Sequence, residues 1–111
     1  MECEIGRWTP HYSLVVDIEI TDVHLGVQIR ARTTMLSLLG CVVDTLELFP
    51  MGLSVDVKMF HRGAEVRTLG RVLYARPDLG MGLAFTSLEP EDKRILDWWV
   101  AEFVSITTRR H

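Results

Sequence analysis

Six short segments of alternating apolar and polar residues, followed by one stretch of helical periodicity, predict a mainly β protein: a six-stranded antiparallel β-barrel with one C-terminal α-helix. The strand-like segments are regularly spaced and divided by turn residues, as in all-β barrels. Closing them on themselves removes the exposed strand edges that an open sheet would carry. The one apolar helical stripe comes last, where it would cover an open mouth or one flank of the barrel. At 111 residues the chain makes one domain, residues 1–111: an arm over 1–12, a barrel over 13–86 and a helix over 90–104.

The elements follow in order. Over residues 13–21, Leu14, Val16, Ile18 and Ile20 share one face, with Val15, Asp17 and Glu19 on the other, a half-buried strand. Asp22 to Gly26 make a short connection, and Val27, Ile29 and Ala31 then alternate with Gln28, Arg30 and Arg32, giving a second strand with a basic outer face. Residues 40–45 read as a third strand, and Phe49-Pro50-Met51-Gly52 as a loop. The fourth strand, over 53–60, ends in a hairpin turn at His61-Arg62-Gly63-Ala64. The fifth runs over 65–75, with Gly70 weakening its middle and marking a bulge. Pro77-Asp78-Leu79-Gly80 turns the chain into the sixth, over 81–86. Pro90, with Glu89, Glu91 and Asp92 around it, signals a helix start. From there Ile95, Leu96, Trp99, Val100 and Phe103 fall on one face. Trp98 sits at the edge of that stripe, as a rim over the core or as a contact with a protein partner or a second subunit; both readings stay open.

Composition excludes several classes. A net charge of −3 and a pI near 5.7 argue against nucleic-acid binding, which needs clustered Lys and Arg. Cys3 and Cys41 are few and far apart, with no Cys-x-x-Cys, which fits a reduced cytoplasmic protein. No secretory leader pattern opens the chain, and no apolar run approaches the roughly 18–20 residues of a membrane span. His11, His24, His61 and His111 lack zinc-ligand spacing, so no metal is expected. There is no Gly-x-Ser-x-Gly elbow, phosphate loop or His-Glu-x-x-His, so the protein is not expected to be an enzyme or to carry a cofactor.

The most informative stretch is Met35-Leu36-Ser37-Leu38-Leu39-Gly40, a Ser three residues before a Gly at the entry to the third strand. Its spacing resembles the (Asp/Asn)-x-Ser-x-x-Gly signature of the PilZ family, bacterial receptors for cyclic di-GMP. The family's other signature, Arg-x-x-x-Arg ahead of the first strand, is met in outline by Arg7-Trp8-Thr9-Pro10-His11. Gly70-Arg71-Val72 and Gly82-Leu83-Ala84-Phe85 also resemble the family, and the resemblance runs from about Arg7 to Phe103. The PilZ fold, a six-stranded barrel with a C-terminal helix, agrees with the periodicity. Two positions depart from the pattern: Met35 stands where Asp or Asn is expected, and His11 where the second Arg is expected.

The resemblance implies a cyclic di-GMP site at Arg7, His11, Ser37 and Gly40. Guanidinium forks suit phosphate and the guanine edge, whereas imidazole stacks and donates but has no fork and is only fractionally charged at neutral pH. Ser37 either donates its hydroxyl to the ligand or caps the turn, and Gly40 serves a backbone conformation or a close approach. Met35 offers no useful acceptor and, continuing the row of Val27, Ile29 and Ala31, is expected to pack in the core. Arg30 and Arg32 on the second strand, and Trp8 beside Arg7, are the candidates to compensate. Two functions of different class follow: a PilZ-type cyclic di-GMP-binding signalling module, or a degenerate PilZ adaptor that acts by protein–protein contact without the dinucleotide.

Overall fold

The computed structural model describes residues 11–108. Six strands, β1 (Asp17–Asp22), β2 (Gln28–Leu36), β3 (Gly40–Asp44), β4 (Ser54–His61), β5 (Ala64–Arg76) and β6 (Gly80–Phe85), precede one helix, α1 (Pro90–Thr108). They close into an antiparallel barrel in the order β1-β2-β3-β6-β5-β4. The alternation that predicted the strands fills the barrel: Ile18, Ile20, Ile29, Val43, Val55, Val57, Met59, Val66 and Met81 are all buried inside. The hairpin between β4 and β5 turns on Arg62 and Gly63, both at positive φ (54° and 76°), the two-residue geometry that suits the right-handed twist of its strands.

Two bulges interrupt this regularity, and neither falls where the sequence reading put one. Gly70 pairs in register with Val55 and Phe85. A Cβ there would press on the Ala84 carbonyl oxygen at 2.9 Å and on the Val57 methyl at 3.3 Å, so this glycine serves a close approach between strands. On β5 the register with β6 instead shifts between Val72 and Tyr74, leaving Leu73 as the extra residue. On β2 the register with β3 shifts between Thr33 and Met35, leaving Thr34 extra. Thr33 steadies the chain at that break. Its buried hydroxyl accepts from the Val16 N–H and donates to the Leu14 carbonyl, both at 2.9 Å. Residues 13–16 therefore lie extended against β2, and Leu14 and Val16 are buried as the alternation predicted, although the regular strand begins only at Asp17.

The helix starts at Pro90 as predicted and runs four residues past the predicted end at 104, to Thr108. Leu96, Trp99 and Val100 bury its apolar face. Trp99 meets the His61 ring edge-on at 5.4 Å, and Phe103 meets Tyr12 at 6.3 Å. Trp98 is 44% exposed. The first half of β5 extends beyond β6 and pairs there with β4 alone. The helix covers this free edge: the Arg67 N–H donates to the Asp92 carboxylate at 3.0 Å. Asp92 thus does more than favour the helix dipole; it supplies an acceptor that the neighbouring strand lacks. No described helix is long and apolar enough to cross a membrane.

Candidate functional site

The chain between β2 and β3 turns through residues 37–40, and Ser37 holds that turn. Its N–H donates to the Gly40 carbonyl at 2.9 Å. Its hydroxyl accepts from the Leu39 and Gly40 N–H groups, both at 3.1 Å, and donates to the Gly40 carbonyl at 3.2 Å. A hydroxyl has one proton and two lone pairs, and all three are used inside the turn. Ser37 is 1% exposed, so its contribution to any site is the shape of the turn. Gly40 is buried and opens β3 opposite Ala84. Left-handed glycines among the described residues are Gly26, Gly52, Gly63 and Gly80, so Gly40 takes an ordinary strand backbone.

Ahead of β1, Tyr12 is fastened to the end of β2: its N–H donates to the Leu36 carbonyl at 2.9 Å, and its carbonyl accepts from the Leu36 N–H at 2.8 Å. This brings His11 beside the 37–40 turn. His11, Ser37 and Gly40, from separate parts of the chain, line one cleft of about 320 Å³ on the outer barrel wall. Arg7 and Trp8 lie outside the described residues.

The floor of the cleft is a single cross-strand row. Met35 pairs with Val42, Val42 with Gly82, and Gly82 with Tyr74. Met35 and Tyr74 are the first paired residues after the two bulges. The expectation that Met35 packs in the core is therefore corrected. Ile29 and Thr33 are buried, but the extra residue Thr34 shifts the alternation, so that Leu36 takes the inner position and Met35 turns outward, half-buried in the cleft. Leu73, the extra residue of β5, lines the same cleft. Gly82 leaves room for the Tyr74 ring, whose Cδ2 and Cζ would both stand 2.7 Å from a Cβ placed there. Burial, and to a smaller extent the nearby Cys41, raise the Tyr74 phenol above its ordinary value, against an opposing pull from Arg76. Burial pushes the Cys41 thiol up to about 12, so it is a protonated core side chain.

Arg30 and Arg32 do not reach this cleft. They pair across β1, with Glu19 at 3.3 Å and Asp17 at 3.4 Å, and Arg32 stands three residues before Met35 along β2. The bulges, Leu73, Tyr74 and Gly82 are what the sequence reading missed as parts of a site. The signal for Gly82 was its family-like run; the bulges left none. Among the described residues no cluster of three or more His, Cys, Asp or Glu is placed to hold a metal ion.

A closed barrel with a preformed cleft on its outer wall, and a helix sealing one strand edge, defines a binding module. The PilZ domain family model matches residues 7–102, and the chain belongs to that family of cyclic di-GMP receptor domains. Its fold is similar to that of the Bacillus subtilis inhibitor of motility (MotI/DgrA), with a TM-score of 0.67 at 19% identity. The likeness covers 89% of this chain and 52% of that one, so the present chain spans about half of its neighbour's length. No curated protein matches the chain.

Proposed function

We propose that this PilZ domain is a signalling module that takes cyclic di-GMP on its outer wall, more weakly than a domain with both signatures intact. The observation that supports this is the convergence of His11 and the 37–40 turn on one preformed cleft. In this reading Arg7 supplies the guanidinium fork for phosphate or guanine, His11 stacks or donates, and Ser37 and Gly40 hold the turn against which the ligand rests. Two charge-assisted contacts are missing, at Met35 and at the fork absent from His11. Each is worth roughly 1.5–3 kcal/mol, so affinity drops by about two to four decades. A calorimetric titration with cyclic di-GMP tests the reading. Saturable heat that Arg7→Ala weakens at least tenfold supports it, and no heat at millimolar ligand overturns it.

A second reading has its own support. Met35, Val42 and Leu73 give the cleft an apolar lining that suits a protein side chain better than a dianion. A degenerate adaptor acting by protein contact would give no heat with the dinucleotide and would stay silent after the signatures are restored.

A further inference from the structure

We infer that the end of the barrel opposite the 37–40 turn is a protein-docking surface, fitted to an amphipathic segment whose apolar side chains are flanked by Lys and Arg. The inference stands apart from the cleft and from what the cleft binds. Strand direction puts the 22–27 turn, the 45–53 loop and the 77–79 turn at this end. These connections make up less than a fifth of the described residues. They carry Val23, Leu25, Val27, Leu46, Met51 and Leu79, six of the twelve large apolar side chains exposed among the described residues. Leu46 is 91% and Leu25 78% exposed, so neither gains appreciable burial from the fold. Exposed apolar side chains scattered singly are ordinary, but gathered at one end they mark an interaction surface.

Hydrogen-bonded turns hold these side chains in place. The buried Asp22 carboxylate accepts from the His24 and Leu25 N–H groups, at 2.8 and 3.3 Å, and the Val23 N–H donates to the Ser54 carbonyl. In the 45–53 loop Phe49 is buried, the Glu47 N–H donates to the Thr45 hydroxyl at 3.0 Å, and the Gly52 N–H donates to the Val72 carbonyl at 2.7 Å. The Leu79 N–H donates to the Arg76 carbonyl at 3.1 Å. A surface fixed before it meets its partner loses less entropy on binding. Residues 28–31 pair with β1 alone, because β3 stops opposite Arg32, and β5 runs on to Arg76, past its last pairing with β4 at Arg71. Two hairpins therefore project, and the 45–53 loop connects β3 to β4 between them. Charge decides the partner. Asp44, Glu47 and Asp56 border the apolar tips, all exposed, and none makes an ion pair among the described residues. The two guanidinium groups of this end are engaged, Arg76 with Asp78 at 3.5 Å and Arg71 with the Gly52 carbonyl at 3.4 Å. The unpaired charge is negative. An anionic membrane would be repelled and a second copy would bring like charges together, whereas Lys and Arg beside apolar side chains complement the surface.

The test is a fluorescence anisotropy titration of the full chain with a labelled synthetic helix of about 18 residues, Leu at i, i+3, i+4 and i+7 and Lys elsewhere. Saturable binding is expected, and much weaker binding of a Leu/Glu peptide of the same pattern and of a scrambled Leu/Lys peptide. Leu25→Ser with Leu46→Ser should weaken it at least tenfold at an unchanged melting temperature, since both side chains are exposed before binding. Asp44→Asn, Glu47→Gln and Asp56→Asn together should weaken it about three- to tenfold in low salt and less in high salt. Trp98→Gln with Ile106→Gln, which removes exposed apolar side chains of α1, should leave it unchanged. Absence of binding overturns the inference, as does equal binding of the scrambled peptide or a loss that follows the α1 variant instead. Two further results would also overturn it: sedimentation with anionic vesicles, or self-association in the ultracentrifuge, that Leu25→Ser with Leu46→Ser abolishes. The first would give the surface to a membrane and the second to another copy of the chain.

Discussion

On the wall formed by β1, β2 and β4, outward charges meet opposite charges: Glu19 lies between Arg30 and Lys58, and Asp17 faces Arg32. On the wall where the ends of β2 and β5 flank β3 and β6, the row Met35, Val42, Gly82 and Tyr74 is uncharged and concave. The difference comes from register. β1 pairs without interruption with both of its neighbours, so alternate residues point out and their charges satisfy one another across the strands. A bulge sends two consecutive residues to the same face and bends its strand, and one bulge on each side of the β3–β6 pair makes a hollow. The regular wall is charged, and the irregular wall carries the cleft.

The largest effect that would test this contrast is on stability. Gly80→Ala, where β6 begins, puts a Cβ against the Val43 carbonyl oxygen of β3 at a φ of +87°. Strain and overpacking together should cost roughly 2–5 kcal/mol. The same change at Gly26, in the turn between β1 and β2, meets open space at a φ of +74° and should cost only about 1–2 kcal/mol. Urea melts of the two variants check the difference, and equal costs would deny that the cleft wall is the tighter packed.

Next comes affinity. His11→Arg with Met35→Asp should raise cyclic di-GMP affinity by about a decade or more, from at least one recovered charge-assisted contact. Because Met35 faces outward, the melting temperature should change little; a large fall would return Met35 to the core. A titration paired with a melting curve decides both.

A smaller effect is the response of stability to pH. His61, packed on Trp99, has its pKa lowered from 6.5, first by burial and then by Arg62, against opposing pulls from Glu102 and Asp17. A histidine whose folded pKa is depressed binds fewer protons folded than unfolded. Its neutral form is therefore matched to the fold above 6.5, and stability is lost as pH falls below that value. His61→Gln should flatten that acid-side slope in melts taken across this window. A slope that survives the substitution would assign the effect elsewhere.

The smallest effect belongs to the charged wall. Arg30→Gln should change stability by only about 0.2–1 kcal/mol, less in high salt, and should leave cyclic di-GMP affinity unchanged. A marked loss of affinity would extend the site around the barrel and remove the distinction between the walls.

Much of this fold was legible because burial imposes a period. Ile18 and Ile20, or Val55, Val57 and Met59, can be read as inward residues from alternation alone. The helix start was legible from Pro90 and the acids beside it. Its end was not, because the last residues of α1 are exposed and carry neither a glycine cap nor a basic last turn. The bulges were hidden for a different reason. Thr33-Thr34-Met35 and Val72-Leu73-Tyr74 suit a strand in either register, and one extra residue leaves no trace in composition. So the 37–40 turn could be located from Ser37 and Gly40, while the wall around it, with Met35 turned out and Tyr74 folded over Gly82, required the pairing of the strands to be seen.

The bond from the Arg67 N–H to the Asp92 carboxylate also bears on the order of assembly. The helix follows the barrel in the chain, so a nascent barrel emerges with the leading part of β5 still open on one side. Until the helix arrives, that stretch is a template for another copy's strand. A chain shortened before Pro90 would therefore lose more than a layer of packing, since it would leave the leading part of β5 with an unpaired edge.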